Sequence, residues 1–267
     1  MRNTSIYGRN VPPSLILATT AVNAALYAVI GVVSAPIPTV FGVRFWPPVF
    51  IPAVFGVLFG PWVGGVGAAI GIFISDVFYG HHDALLSLAV GVPSNFLGFY
   101  VLGWLTENAP TGLRRKFLLV LSVLVSPLIV IVYFASIYLT LGWSGFGLAQ
   151  YVCVAVGIMV VAVVLIVTRR QSKWASFELA SPIGLALGSL IIGVGLVGYS
   201  RLFTLPAVVG TSPLSIDVIY GATAFTYFSE ILFILFLTPP IVAAGMAAFP
   251  SLRLERQRPS SPSSQPG

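Results

Sequence analysis

Three ionisable side chains lie inside or beside long apolar runs: Arg44, Asp76 and Glu230. A carboxylate inside a membrane span costs at least about 2.5 kcal/mol, so it is normally paired, hydrated or functional. Asp76 falls in line with Phe73 and Tyr79 at steps of three. Glu230 shares one helical face with Tyr220, Thr223, Thr226 and Tyr227. Asn95 belongs to a third stripe with Ser87, Gly91, Ser94 and Gly98. Aromatic rings to stack on, one cation, two acids and an amide suit a small, flat, polar molecule. In that chemistry Arg44 pairs an anionic group, Trp46 stacks, and Asp76, Asn95 and Glu230 hydrogen-bond polar edges, with Tyr79 and Tyr227 on the same faces. Two structural alternatives stand beside it. Asn95 and the threonines can serve as polar glue between helices, and an acid can form an internal ion pair, for instance with Arg44.

Other chemistries lack their residues. There is no G-x-x-x-x-G-K-[ST] phosphate loop, no H-E-x-x-H and no G-x-S-x-G. Cys153 is the single cysteine and lies in an apolar run. His81-His82-Asp83 contains metal-ligating types, but adjacent histidines do not share a helix face, and the further ligands of a metal site are not evident. The expectation is a binding protein without metal or cofactor, not an enzyme.

The elements that must position these residues are membrane helices. Charged residues make up 7% of the 267-residue chain and hydrophobic ones 57%, far too little polar surface for a soluble domain of this length. The apolar runs do not alternate as barrel strands would. The fold expected is all-α and polytopic. About eight transmembrane helices are predicted near 15–35, 47–60, 61–80, 84–105, 117–141, 147–168, 181–202 and 217–249. Spans two and three read as a short hairpin turning at Gly60-Pro61. The last run reads as kinked at Pro239-Pro240, or as starting outside. Residues 1–252 form one transmembrane domain, and the Pro/Ser-rich stretch 253–267 reads as a disordered tail.

The net charge of +6 does not point to nucleic acid. Eleven of the 13 basic residues fall in four clusters, at Arg2/Arg9, Arg114–Lys116, Arg169–Lys173 and Arg253–Arg258. Cytoplasmic loops carry excess Lys and Arg. With both termini cytoplasmic, all four clusters land on that side, while Arg44, Asp76 and His81-His82 face out. The protein is expected in the cell membrane as a multi-pass protein surrounded by lipid.

The first span has two faces. Thr20, Asn23, Tyr27 and Ser34 form a polar one; Ala18, Ala21, Ala25 and Ala28 form a small-residue stripe. Small residues admit another helix closely, either inside this chain or in another subunit. Gly60, Gly64, Gly67 and Gly71 form a second such stripe, for which internal packing is expected.

Residues 15–105 resemble the substrate-binding S component of energy-coupling factor (ECF) transporters, the vitamin-uptake systems. The likeness is carried by ATTAVNAALYAVIG, the segment VRFWPPVFIP, the hairpin GVLFGPWVGGVGAAIG and the acid in ISDVFYG. The resemblance implies a first-span A-x-x-x-A contact with a membrane-embedded coupling subunit. Ala21 and Ala25 match it within the stripe Ala18, Ala21, Ala25 and Ala28, and Ala24 and Ala28 repeat the spacing. It also implies a loop at residues 36–47 that caps the ligand from outside, and ATP hydrolysis by separate ATPase subunits. The family core has six spans against the eight read here. The function expected is substrate binding for uptake of a vitamin-like small molecule; the alternative is a self-contained proton-coupled secondary transporter.

Overall fold

The computed structural model describes residues 12–34, 39–40, 43–79, 83–108, 112–142, 147–169 and 174–248. The tail 253–267, His81, His82 and parts of the loop at 36–47 lie outside the described residues. The described chain is all-α apart from one two-residue ladder. It has eight helices: α1 Pro13–Ser34, α2 Phe50–Phe59, α3 Pro61–Tyr79, α4 Ala84–Glu107, α5 Gly112–Leu141, α6 Leu148–Arg169, α7 Ala175–Leu202 and α8 Asp217–Ala248. Seven are long and apolar enough to cross a membrane, which makes this a multi-pass membrane protein. The exception is α2, which rises only about 15 Å at 1.5 Å per residue.

The spans fall near their predicted bounds except at two helix starts, Gly112 and Ala175. The third span, predicted near 61–80, is α3, 19 residues and about 28 Å long, so α2 alone is the short arm of the hairpin. Gly60 has φ 97°, a conformation that favours glycine, and it turns α2 into α3. α7 begins at Ala175, six residues before the predicted start. Pro182 removes one backbone donor, yet Phe177, Leu179 and Ala180 are buried against neighbours. The Ser181 hydroxyl also donates to Phe177 O at 2.8 Å. α8 is a single helix that carries Pro239 and Pro240 inside it.

α3, α4 and α7 form the centre, with α1 packed on α3 and α8 on α7. Glycines allow this closeness. A Cβ on Gly71 would lie 2.8 Å from Ala24 O, and one on Gly184 would lie 2.7 Å from Gly98 O. The α3 stripe therefore packs internally, as expected. α5 keeps much of its apolar surface outward, including Leu113, Phe117, Leu124, Leu128 and Ile131, as a lipid-facing helix does. The polar face of α1 turns inward, with Thr20, Asn23 and Tyr27 buried.

Candidate functional site

The ladder of Thr39–Val40 with Val43–Arg44 delivers Arg44 to the end of α3. There it forms an ion pair with Asp76. The Ser87 hydroxyl donates to the other carboxylate oxygen at 2.7 Å. Ser87 opens a π-helical turn, Ser87–Gly91, one residue wider than an α turn. Pro93 accounts for it by lacking the N–H that would close the ladder onto the turn before it. Asp83 caps the start of α4, accepting from Leu85 N at 2.9 Å and Leu86 N at 3.1 Å. It also accepts from the Tyr199 hydroxyl at 3.1 Å. Asp83 thus has a structural role.

From the ion pair a chain of contacts leads inward. The Arg44 guanidinium lies 4.5 Å from the Trp46 ring centroid, a cation–π contact worth about 0.5–2 kcal/mol. Trp46 meets Tyr27 edge-on at 5.8 Å. The Tyr27 hydroxyl donates to Asn95 Oδ1 at 2.7 Å, and Asn95 Nδ2 donates to Gly91 O at 2.9 Å. Two donors along this path, Arg44 Nη1 and Trp46 Nε1, are buried without a hydrogen-bond partner among the described residues. Such groups cost free energy unless a ligand or water meets them.

Asn95 borders a cavity between α4, α7 and α8. It is half open, and the space within it that admits a water-sized occupant is about 20 Å³, room for a small polar head group. Its walls include Ser94, Phe99, Ser189, Thr226 and Glu230. Glu230 is 6% exposed and has no hydrogen-bond or ion-pair partner among the described residues. Gly98, Gly184 and Gly188 bring α4 and α7 together at the cavity edge.

The predicted site residues therefore divide. Asn95 and Glu230 share the cavity. Arg44, Trp46 and Asp76 form a separate group joined to it through Tyr27, with Arg44 and Asp76 paired to each other. Tyr227 is buried in the helix packing, its hydroxyl 2.7 Å from Ser126 Oγ, and does not border the cavity. Tyr79 ends α3, and its side chain lies outside the described residues. The alanine stripe also divides: Ala18, Ala21 and Ala25 are exposed, while Ala28 is 4% exposed and packs inward with Ala24. Ala28 is therefore not part of an outward contact face. Gly31, one turn further on, lies against Trp46, so this face of α1 turns toward the core.

Sequence reasoning missed Ser189 and the α7 glycines. Ser181, Gly184 and Gly188 fall at i, i+3 and i+7, a small-residue stripe like those noticed in α1 and α3. It also missed Glu178, placed in a loop by the late start of α7 but 4% exposed in its first turn. No protein-family model, curated protein or solved structure matches this chain.

Proposed function

We propose that this protein is the substrate-binding subunit of an ECF-type uptake transporter in the cell membrane. It would bind a vitamin-like small molecule and be energised by separate ATPase subunits. The observation that carries the reading is Glu230: a buried carboxyl, without a partner among the described residues, bordering a cavity between three helices. Burying an acid without compensation is costly, and a ligand group is a natural compensation. The orphaned donors Arg44 Nη1 and Trp46 Nε1 support the same reading nearer the ion pair. The exposed Ala18, Ala21 and Ala25 of α1 supply small-residue positions where the coupling subunit can approach, and the chain has no phosphate loop of its own. The basic clusters put both termini on the cytoplasmic side in this proposal.

Glu230 also favours a second reading, since a lone buried carboxyl can carry a proton in a self-contained secondary transporter. Reconstitution separates the two. The purified chain alone in liposomes should take up no solute when a pH gradient is imposed, and uptake should require a co-purified coupling subunit and ATP. Uptake by the chain alone, driven by the gradient and lost on Glu230→Gln, would establish the second reading instead.

A further inference from the structure

The cavity around Glu230 has a hydrogen-bonding sign. The hydroxyls on its walls have spent their single proton on their own helices. Ser94 donates to Gly91 O at 2.9 Å, Ser189 to Leu185 O at 2.8 Å and Thr226 to Ala222 O at 2.8 Å. A hydroxyl has one donor and two acceptor lone pairs, so each can only accept from an occupant. The Asn95 amide is also committed. Its oxygen accepts from Tyr27, and its nitrogen donates to Gly91 O and, at 3.3 Å, to Ser94 Oγ. Glu230, when ionised, is acceptor-only as well. The polar side chains of the wall therefore offer acceptors, with one negative charge among them and no basic residue on the lining.

We infer that this cavity takes the cationic nitrogen head of an organic solute, a primary ammonium or an amidinium-like group. The inference rests on the binding reading above and names the ligand class for that site. An ammonium supplies three donors and a positive charge, which complements Glu230 and the hydroxyl lone pairs. Phe99 on the wall adds an aromatic surface that attracts cations. A divalent metal fits less well: such ions draw on several carboxylates, whereas the lining holds Glu230 alone. Leu102, Leu185 and Ile192 on the lining favour an organic body over a bare hydrated ion. Arg44 adds no competing positive charge to the cavity, being paired with Asp76.

Thermal unfolding of the full chain, purified in detergent, tests this. The probes are propylammonium chloride, propan-1-ol, sodium propionate and sodium chloride, with tetraethylammonium chloride, a bulky cation that has no N–H to donate, holding ionic strength constant. Propylammonium should raise Tm saturably. Glu230→Gln should weaken its apparent affinity about tenfold or more, as expected for losing a charged hydrogen bond. Ser189→Ala and Thr226→Val should weaken it less, and they serve as the test if Glu230→Gln does not fold. Stabilisation by propionate or propan-1-ol that depends on Glu230 would overturn the cationic class while leaving a binding site in place. The same dependence for sodium chloride alone would replace the organic cation with a metal ion. If no probe gave a shift sensitive to any of the three substitutions, both this inference and the binding reading at Glu230 would fail.

Discussion

Arg44 is asked to do three things at once. It pairs with Asp76, lies over Trp46 and leaves one buried nitrogen without a partner among the described residues. Breaking a buried pair strands the surviving charge, which typically costs about 3 kcal/mol or more. Arg44→Ala should therefore lower stability by about that amount, whereas Arg44→Ala with Asp76→Ala should recover part of the loss. A double-mutant cycle on thermal or chemical unfolding reads the coupling directly, and additivity of the two single effects would show that the pair contributes nothing. Glu230 should behave in the opposite way. Glu230→Gln removes a lone buried charge, so the ligand-free protein should unfold at an equal or higher temperature while ligand binding is lost. A clear fall in Tm would mean that Glu230 has a structural partner. The two acids stood out in the sequence because carboxylates are rare in apolar runs. Their different fates did not, since Arg44 and Asp76 lie 32 residues apart and a ligand or an ion pair satisfies the same chemistry.

Helix positions were largely legible, because a run of about twenty apolar residues has few other solutions in a membrane protein. The misread start of α7 has a local cause. Ser181-Pro182 looks like a helix start, and only the burial of Phe177, Leu179 and Ala180 by distant segments extends the helix backward. The small-residue stripe of α1 was legible, but which of its members face outward depends on where α3 packs. The α7 glycines give the sharpest test at this scale. A side chain at Gly184 meets Gly98 O at 2.7 Å and Leu102 Cβ at 2.8 Å, whereas one at Gly198 meets nothing within 4 Å. Gly184→Val should cost about 1–3 kcal/mol by overpacking and impair the adjoining cavity. Gly198→Ala should leave stability unchanged or raise it by up to about 1 kcal/mol through helix propensity. Equal unfolding temperatures for the two variants would contradict the α4–α7 packing. On α1, Ala25→Leu adds bulk to an exposed position. It should spare folding and ligand binding while blocking recovery of the coupling subunit in a pull-down; normal recovery would remove Ala25 from that contact.

At the scale of the whole molecule, the described helices divide into a lipid-facing set and a set around the cavity. α5 is the least buried of the seven spanning helices and keeps much apolar surface outward, and α1 exposes Ala18, Ala21 and Ala25 beside larger apolar side chains such as Leu17 and Val22. α4, α7 and α8 enclose a cavity linked by Tyr27 and Trp46 to an ion pair at the end of α3. Five of the seven residues named for binding from sequence belong to one of the two linked groups for a plain reason. Polar side chains in apolar helices turn inward, and there are few interior places for them. Glu230 is the residue on which the reading depends. Small-molecule mass spectrometry of the purified wild-type chain and of Glu230→Gln tests it most directly. The account predicts a compound present at near-stoichiometric amount in the wild type and absent from Glu230→Gln. An equal amount in both, or no bound compound in the wild type after purification from cells supplied with rich medium, would contradict it.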